Sequence, residues 1–171
     1  MNDSPDMPQR RGTTFTPVVP QAAIAAFNAD AKARAVVDRM IEHDAFSQWL
    51  GVSIVDVGAK RAVIRMTVRP EMVNGFGTAH GGIVFAFSDS ALAFCVNSNG
   101  EISVALDCTI SYPAAVRPGD VLTATAIEQS STRKTGMAEV TVRNQREEIV
   151  GHFRGTVYRT GKPLFADSKG I

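Results

Sequence analysis

The chain has 171 residues, 44% of them hydrophobic and 20% charged: enough apolar material for one packed core, too little length for several. Its 18 Lys and Arg offset 17 Asp and Glu to a formal net charge of +1, which excludes a strongly basic nucleic-acid binder and an acidic tail protein. A local anion site stays open, because cations can cluster without changing the sum.

Residues 1 to about 20 carry Pro5, Pro8, Pro17 and Pro20 among polar residues and read as an extended arm. Arg10-Arg11 ahead of Ala22–Phe27 resembles a twin-arginine signal only faintly, since the apolar stretch is short and follows two prolines; a cytoplasmic chain is expected. Residues 21–50 are helical in pattern, with Ile24, Phe27, Val36, Val37, Met40, Ile41 and Trp49 at three- and four-residue intervals. Asn28 or Asp30 is placed to cap a second helical piece there. After Gly51 the period changes to two. Val52–Val57 is a strand, Gly58–Arg61 a turn, and Ala62–Arg69 a strand with Ile64, Met66 and Val68 on its dry face. Beyond a central apolar helix come strands at Ser103–Tyr112, Val121–Gln129, Gly136–Arg143 and Ile149–Arg159, with a turn at Arg117-Pro118-Gly119-Asp120. In the first of these, Val104, Leu106, Cys108, Ile110 and Tyr112 share one face by alternation, with Ser103, Asp107, Thr109 and Ser111 mostly on the other. Short links between the late strands favour antiparallel neighbours. The expected class is α+β: an arm at 1–20, a helical segment at 21–50 and a domain at 51–171.

Cys95 and Cys108 lie in apolar runs without metal-ligand spacing or a neighbouring base in the sequence, and read as buried reduced thiols. No His, Cys or carboxylate cluster suggests a metal. The longest apolar segment, around Ile83–Val96, contains Asp89 and is too short to span a membrane.

The informative segment is 74–100, NGFGTAHGGIVFAFSDSALAFCVNSNG. Past Gly82 it is apolar on nearly every side, so the helix should be enclosed by a sheet, with further cover from another copy. Two features carry chemistry. Gly81-Gly82 opens the helix, where unpaired N–H groups and the positive dipole end can polarise a carbonyl oxygen. Asp89 is a carboxylate within an apolar helix; desolvation there pushes a carboxyl pKa upward, toward a base or nucleophile. Each has a plainer reading. Gly-Gly is often only a turn, His80 only a structural donor, and Asp89 could bond Ser88 or Ser90. Asp89 follows Gly81 by eight residues, roughly 12 Å along a helix axis, so one helix can hardly bring both to the same reacting carbonyl. If both act, the carbonyl lies between two copies of the helix, and a two-fold dimer holds two equivalent sites.

His80-Gly81-Gly82, Asp89 and the Asn97-Ser98 ending resemble the hotdog-fold acyl-CoA thioesterases, closest in type to the phenylacetic acid degradation (PaaI-type) family. The likeness runs from about Asp44 to Thr160 and takes in Leu50-Gly51-Val52, Asn74-Gly75, Cys108-Thr109-Ile110, Arg117-Pro118-Gly119-Asp120 and Phe153-Arg154-Gly155. It implies an antiparallel sheet wrapped around a long central helix, paired into a dimer and commonly a tetramer. It implies that the Gly81 N–H polarises the thioester carbonyl and that Asp89 of the partner subunit acts as nucleophile or base. Asn74 then orients substrate or water, and His80 supports the loop. Some relatives carry a Ser or Thr on the following strand; the matching position is Ala105, with Ser103 or Asp107 as replacements. No cofactor is needed beyond the coenzyme A that is part of the substrate. Its phosphates call for cations, and Arg133-Lys134 are the candidates, with Arg117 and Arg154 behind them. Gly82, Phe76, Phe85 and Met72 are expected near the acyl group, which the sequence does not choose among phenylacetyl, hydroxyaryl and medium-chain types. The competing readings are a hotdog hydratase or dehydratase, disfavoured by the lack of a second helix histidine, and a non-catalytic acyl-CoA binding module. Neither nucleic acid nor membrane is an expected partner.

Overall fold

The computed structural model describes residues 20–165, so the arm expected at 1–20 lies almost wholly outside the described residues. Two helices come first, α1 (Gln21–His43) and α2 (Ala45–Leu50), then strands β1 (Ser53–Gly58) and β2 (Arg61–Thr67). A one-turn 3-10 helix at Pro70–Met72 and a loop lead into α3 (Gly81–Asn97). Four strands follow: β3 (Glu101–Ser111), β4 (Val121–Ser131), β5 (Thr135–Arg143) and β6 (Ile149–Pro163). All six strands form one antiparallel sheet in the order β1-β2-β4-β5-β6-β3. This is the hotdog arrangement, a sheet wrapped around α3.

Residue size explains how the sheet closes on the helix. Ala62, Ala124, Ala126 and Ala138 are fully buried on the inner face of β2, β4 and β5, where small side chains let the strands approach α3. The bulk comes from the helix, in Phe87, Leu92 and Phe94. At Gly155 on β6 an added Cβ would collide with Leu92 Cδ2, so only glycine fits between strand and helix.

Burial of α3 is not complete. Beyond Val84 its half-buried positions are Phe85, Ala86, Asp89 and Ala93, one stripe at helical spacing. The sheet of a single chain leaves this stripe uncovered, so the expectation of a helix enclosed on all sides holds only in part. β3 ends the sheet with a free edge, and Leu106 on it is 61% exposed.

Three expectations are corrected. α1 is continuous, and neither Asn28 nor Asp30 caps a second piece; Asp30 Oδ1 instead accepts the Ala59 N–H at 2.7 Å, tying α1 to the β1–β2 turn. The break comes later, where Asp44 caps α2 by accepting from Ser47 N at 2.9 Å. Ala33, Val36, Val37 and Leu50 join the buried core, but Phe27 and Trp49 are exposed. The single apolar face read for β3 also fails. Its register against β6 slips between Ala105 and Asp107, where Leu106 is the extra residue. Directly opposed residues share a face, so Ser103, Ala105, Cys108 and Ile110 turn toward α3 with Arg159, Val157, Gly155 and Phe153. Val104 and Asp107 turn outward, and Val104 does not share a face with Cys108. A bulge reverses alternation in this way.

Candidate active site

The loop before α3 is built by its own polar atoms. Asn74 Oδ1 accepts from Phe76 N at 2.9 Å and Thr78 N at 3.3 Å, while its Nδ2 donates to Thr78 Oγ1 at 3.1 Å. Asn74 therefore shapes the loop. Phe76, at the loop tip, is 93% exposed, whereas Met72 is buried in the core. His80 is the N-cap of α3: its Nδ1 accepts the Gly82 N–H at 2.9 Å. That bond assigns the imidazole proton to Nε2. A Cβ on Gly82 would sit 3.0 Å from the same nitrogen, so glycine is what lets the cap close.

With Gly82 N–H taken by the cap and Ile83 N–H given to His80 O at 2.9 Å, Gly81 N–H is the donor left without an acceptor among the described residues. It projects from the positive end of α3. Tyr112 holds this end in place. Its hydroxyl donates to Gly81 O at 2.9 Å, and a Cβ on Gly81 would meet the ring at 3.3 Å. Sequence reasoning placed Tyr112 on a strand face and missed this contact; the available signal was a polar-tipped aromatic closing the strand that faces α3. Tyr112, Gly81, Val84 and Pro113–Val116 line a cavity of about 370 Å³.

Asp89 lies two turns further on, along the uncovered stripe. Burial raises its carboxyl pKa above the ordinary value of 3.8, opposed only by a thiol hydrogen bond from Cys108. The serines do not explain it: Ser88 Oγ donates to Val84 O at 2.8 Å, and Ser90 Oγ pairs with Ser47 Oγ at 2.8 Å. Cys108 Sγ stands 3.9 Å from Asp89 Oδ1. The two cysteines thus part company. Cys95 is buried, as expected; Cys108 is half-buried beside a carboxylate that its sequence neighbours did not reveal. Phe85, one turn before Asp89, packs edge-on to Phe153 with ring centroids 5.2 Å apart.

The structure separates the candidate cations. Arg133 lines a cavity of about 460 Å³ at the C-terminal end of α3, together with Lys32, Lys60 and Arg159. Lys134 turns away, its Nζ 3.3 Å from Tyr158 Oη and 5.3 Å from that ring's centroid. Arg154 faces outward on β6 and Arg117 stays in its turn, so neither stands behind Arg133. Sequence reasoning missed Lys32 and Lys60, which come from α1 and the β1–β2 turn. It also missed the Arg159–Glu128 ion pair, whose side chains are only 7% and 3% exposed. Among the described residues, no group of three or more His, Cys, Asp or Glu could hold a metal ion, and no helix is long and apolar enough to cross a membrane.

An N–H without an acceptor at a helix start can stabilise a developing oxyanion, and a half-buried carboxylate of raised pKa can take a proton from water. A hotdog sheet carrying this pair on its central helix has the two groups that thioester hydrolysis calls for. The sequence profile described as "Thioesterase superfamily" matches residues 76–150. The chain is 38% identical to the Escherichia coli acyl-coenzyme A thioesterase PaaI over 129 residues, 75% of this chain and 92% of that protein. It superposes on the solved E. coli PaaI protein from the phenylacetic acid degradation operon with a TM-score of 0.78, at 36% identity, covering 79% of this chain and 98% of that one. It is also similar to a Streptococcus mutans protein solved bound to acetyl CoA, with a TM-score of 0.64, 28% identity and coverage of 66% and 90%. The chain belongs to the thioesterase superfamily, in its PaaI-type family of hotdog enzymes.

Proposed function

We propose that the protein is a cytoplasmic enzyme that hydrolyses acyl-CoA thioesters with aryl acyl groups of the phenylacetyl or hydroxyphenylacetyl type. Its sites are shared across a homodimer, two of which pair into a homotetramer; residues 51–171 form the thioesterase domain, with 21–50 packed on it. The observation that carries this reading is the pairing, on one helix, of a Gly81 N–H without an acceptor among the described residues with a half-buried Asp89 that faces off the chain. They are roughly 12 Å apart along the axis, so each needs its counterpart from a second copy. A copy laid antiparallel across the stripe, centred near Phe85, sets Gly81 of one chain against Asp89 of the other and covers the β3 edge.

In that site the Gly81 N–H donates to the thioester carbonyl oxygen. Asp89 takes a proton from water as the water oxygen bonds to the carbonyl carbon, and the tetrahedral oxyanion is held at Gly81. The C–S bond then breaks, and the leaving thiolate recovers the proton from Asp89. One water is consumed; free acid and CoA are released. Asn74 and His80 serve this chemistry by fixing the loop and cap that aim Gly81. The aryl preference follows the likeness to the E. coli protein of the phenylacetic acid degradation operon. Phe85, set against Phe153 one turn from Asp89, supplies an aromatic wall, and the exposed Phe76 adds to it from the loop. The CoA phosphates fit the cavity holding Arg133, Lys32 and Lys60, where Arg133 and Lys32 carry no ion pair among the described residues. A thiol-release assay across aryl and alkyl acyl-CoA substrates tests the proposal. Asp89→Ala abolishes release while thermal unfolding stays cooperative; near-normal turnover in that variant removes Asp89 from the mechanism.

A further inference from the structure

We infer that Cys108 is a positioning residue of the reaction, a soft hydrogen-bond donor that orients the Asp89 carboxylate. The inference rests on the reading of Asp89 as the general base. Cys108 Sγ lies 3.9 Å from Asp89 Oδ1, and Asp89 has no other hydrogen-bond partner among the described residues. The backbone arranges this contact. Had β3 kept strict alternation after Ala105, Asp107 would face α3 and set a second carboxylate against Asp89. The bulge at Leu106 reverses the order, turning Asp107 outward and Cys108 inward; re-aiming a side chain beside a reactive group is a recurring use of bulges. Across the ladder, Cys108 is opposite Gly155, and a Cβ there would stand 3.3 Å from Sγ. Bulge, glycine and thiol therefore act together to place a sulfur beside the carboxylate.

The choice of donor has a chemical consequence. A base must be held in one orientation, yet each strong donor to a carboxylate stabilises its charge and weakens it as a base. A thiol is a weak donor and holds the carboxylate at little cost in basicity. It also stays protonated: burial, then the Asp89 and Asp107 charges, push the Cys108 thiol up to about 11. Among the described residues, no other charge faces Asp89. Its neighbours on α3 are uncharged, and Asp107 of β3, His152 and Arg154 of β6 and Glu139 of β5 stand on the outer face. The Arg159–Glu128 pair faces inward but beside Cys95, nearer the end of α3.

The test is the pH profile of kcat/KM for the full-length protein and for Cys108→Ser, Cys108→Ala and Asp89→Asn, with the infrared S–H stretch of the unmodified protein as a readout that needs no Cys108 variant. With serine, a stronger donor, the acidic limb moves to lower pH and the plateau falls. With alanine, which donates nothing, the limb moves to higher pH and kcat drops roughly three- to tenfold, the scale of one net hydrogen bond, while KM changes little. The S–H stretch shifts on Asp89→Asn. Superimposable acidic limbs in the serine and alanine variants, or an S–H stretch indifferent to Asp89→Asn, overturn the inference. If Asp89→Asn itself turns over normally, it is the reading of Asp89 as base that fails.

Discussion

The sharing of sites between chains is testable by arithmetic on mixed dimers. Gly81→Val disables the helix start: the first added carbon already sits 3.3 Å from the Tyr112 ring, and two further methyls must displace that ring or the helix end. Asp89→Ala removes the carboxylate proposed as the base. Each variant alone is inactive. Unfolded together in equal amounts and refolded, random pairing gives about half heterodimers. Each heterodimer has one intact site, joining Gly81 of the Asp89→Ala chain to Asp89 of the Gly81→Val chain. Half the dimers with one of two sites is about a quarter of normal thiol release per chain. A second mixture sharpens the test. When normal chains are mixed equally with chains carrying both substitutions, heterodimers hold no intact site, and activity falls to about a quarter; sites confined to single chains would leave about half. Thiol release is followed after each mixture, with native mass spectrometry confirming exchange. No recovery in the first mixture, or half activity in the second, refutes a shared site and with it the argument from the roughly 12 Å between Gly81 and Asp89.

Asp89 is raised in the folded state, so the folded protein binds its proton more tightly than the unfolded chain does. The acidic limb of kcat/KM therefore lies above pH 3.8, and the cost of the buried charge grows as pH rises from 3.8 through the raised pKa. Asp89→Asn, permanently neutral, is expected to raise Tm at neutral pH, with the gain vanishing below pH 3.8; a gain that persists there is the contrary result. Arg133→Ala is expected to raise KM for acyl-CoA several-fold, most at low salt, without changing turnover of a truncated thioester that lacks the nucleotide; equal losses on both substrates would place Arg133 elsewhere. Arg159→Met leaves Glu128 buried with Lys60, 3.9 Å away, as its remaining ion-pair partner among the described residues. This should cost about 3 kcal/mol, the low end for a broken buried pair, or roughly 6–12 °C in Tm for a chain of this size. Adding Glu128→Leu should restore most of the loss, and a double variant as unstable as the single one contradicts the account.

Sequence spacing revealed the parts of this enzyme that depend on one element alone. The N-terminal glycines of α3, the lone carboxylate within it and the axial distance between them follow from helix geometry, and the period-two runs gave five of six strands to within two residues at each end; β6 runs four residues further than its pattern showed. What depended on two elements was hidden. Lys32, Lys60 and Arg133 are far apart in the chain and converge only when α1 is tied down through Asp30 and the sheet is closed. The Cys108–Asp89 contact was hidden for a different reason. A bulge leaves no mark in the hydrophobic pattern of β3, since Leu106 looks like another member of the alternating set. The pattern counted as one apolar face what the backbone divides in two: Cys108 and Ile110 pack toward α3, while Val104 and Leu106 remain exposed. Those exposed residues lie on the free edge of the sheet. A long apolar edge with unpaired backbone groups is a hazard to a lone chain, and a second copy is what would cover it. One irregularity thus has two consequences. It turns a thiol toward the Asp89 carboxylate, and it leaves Leu106, the extra residue, exposed on the free edge of the sheet, where a second copy would pack.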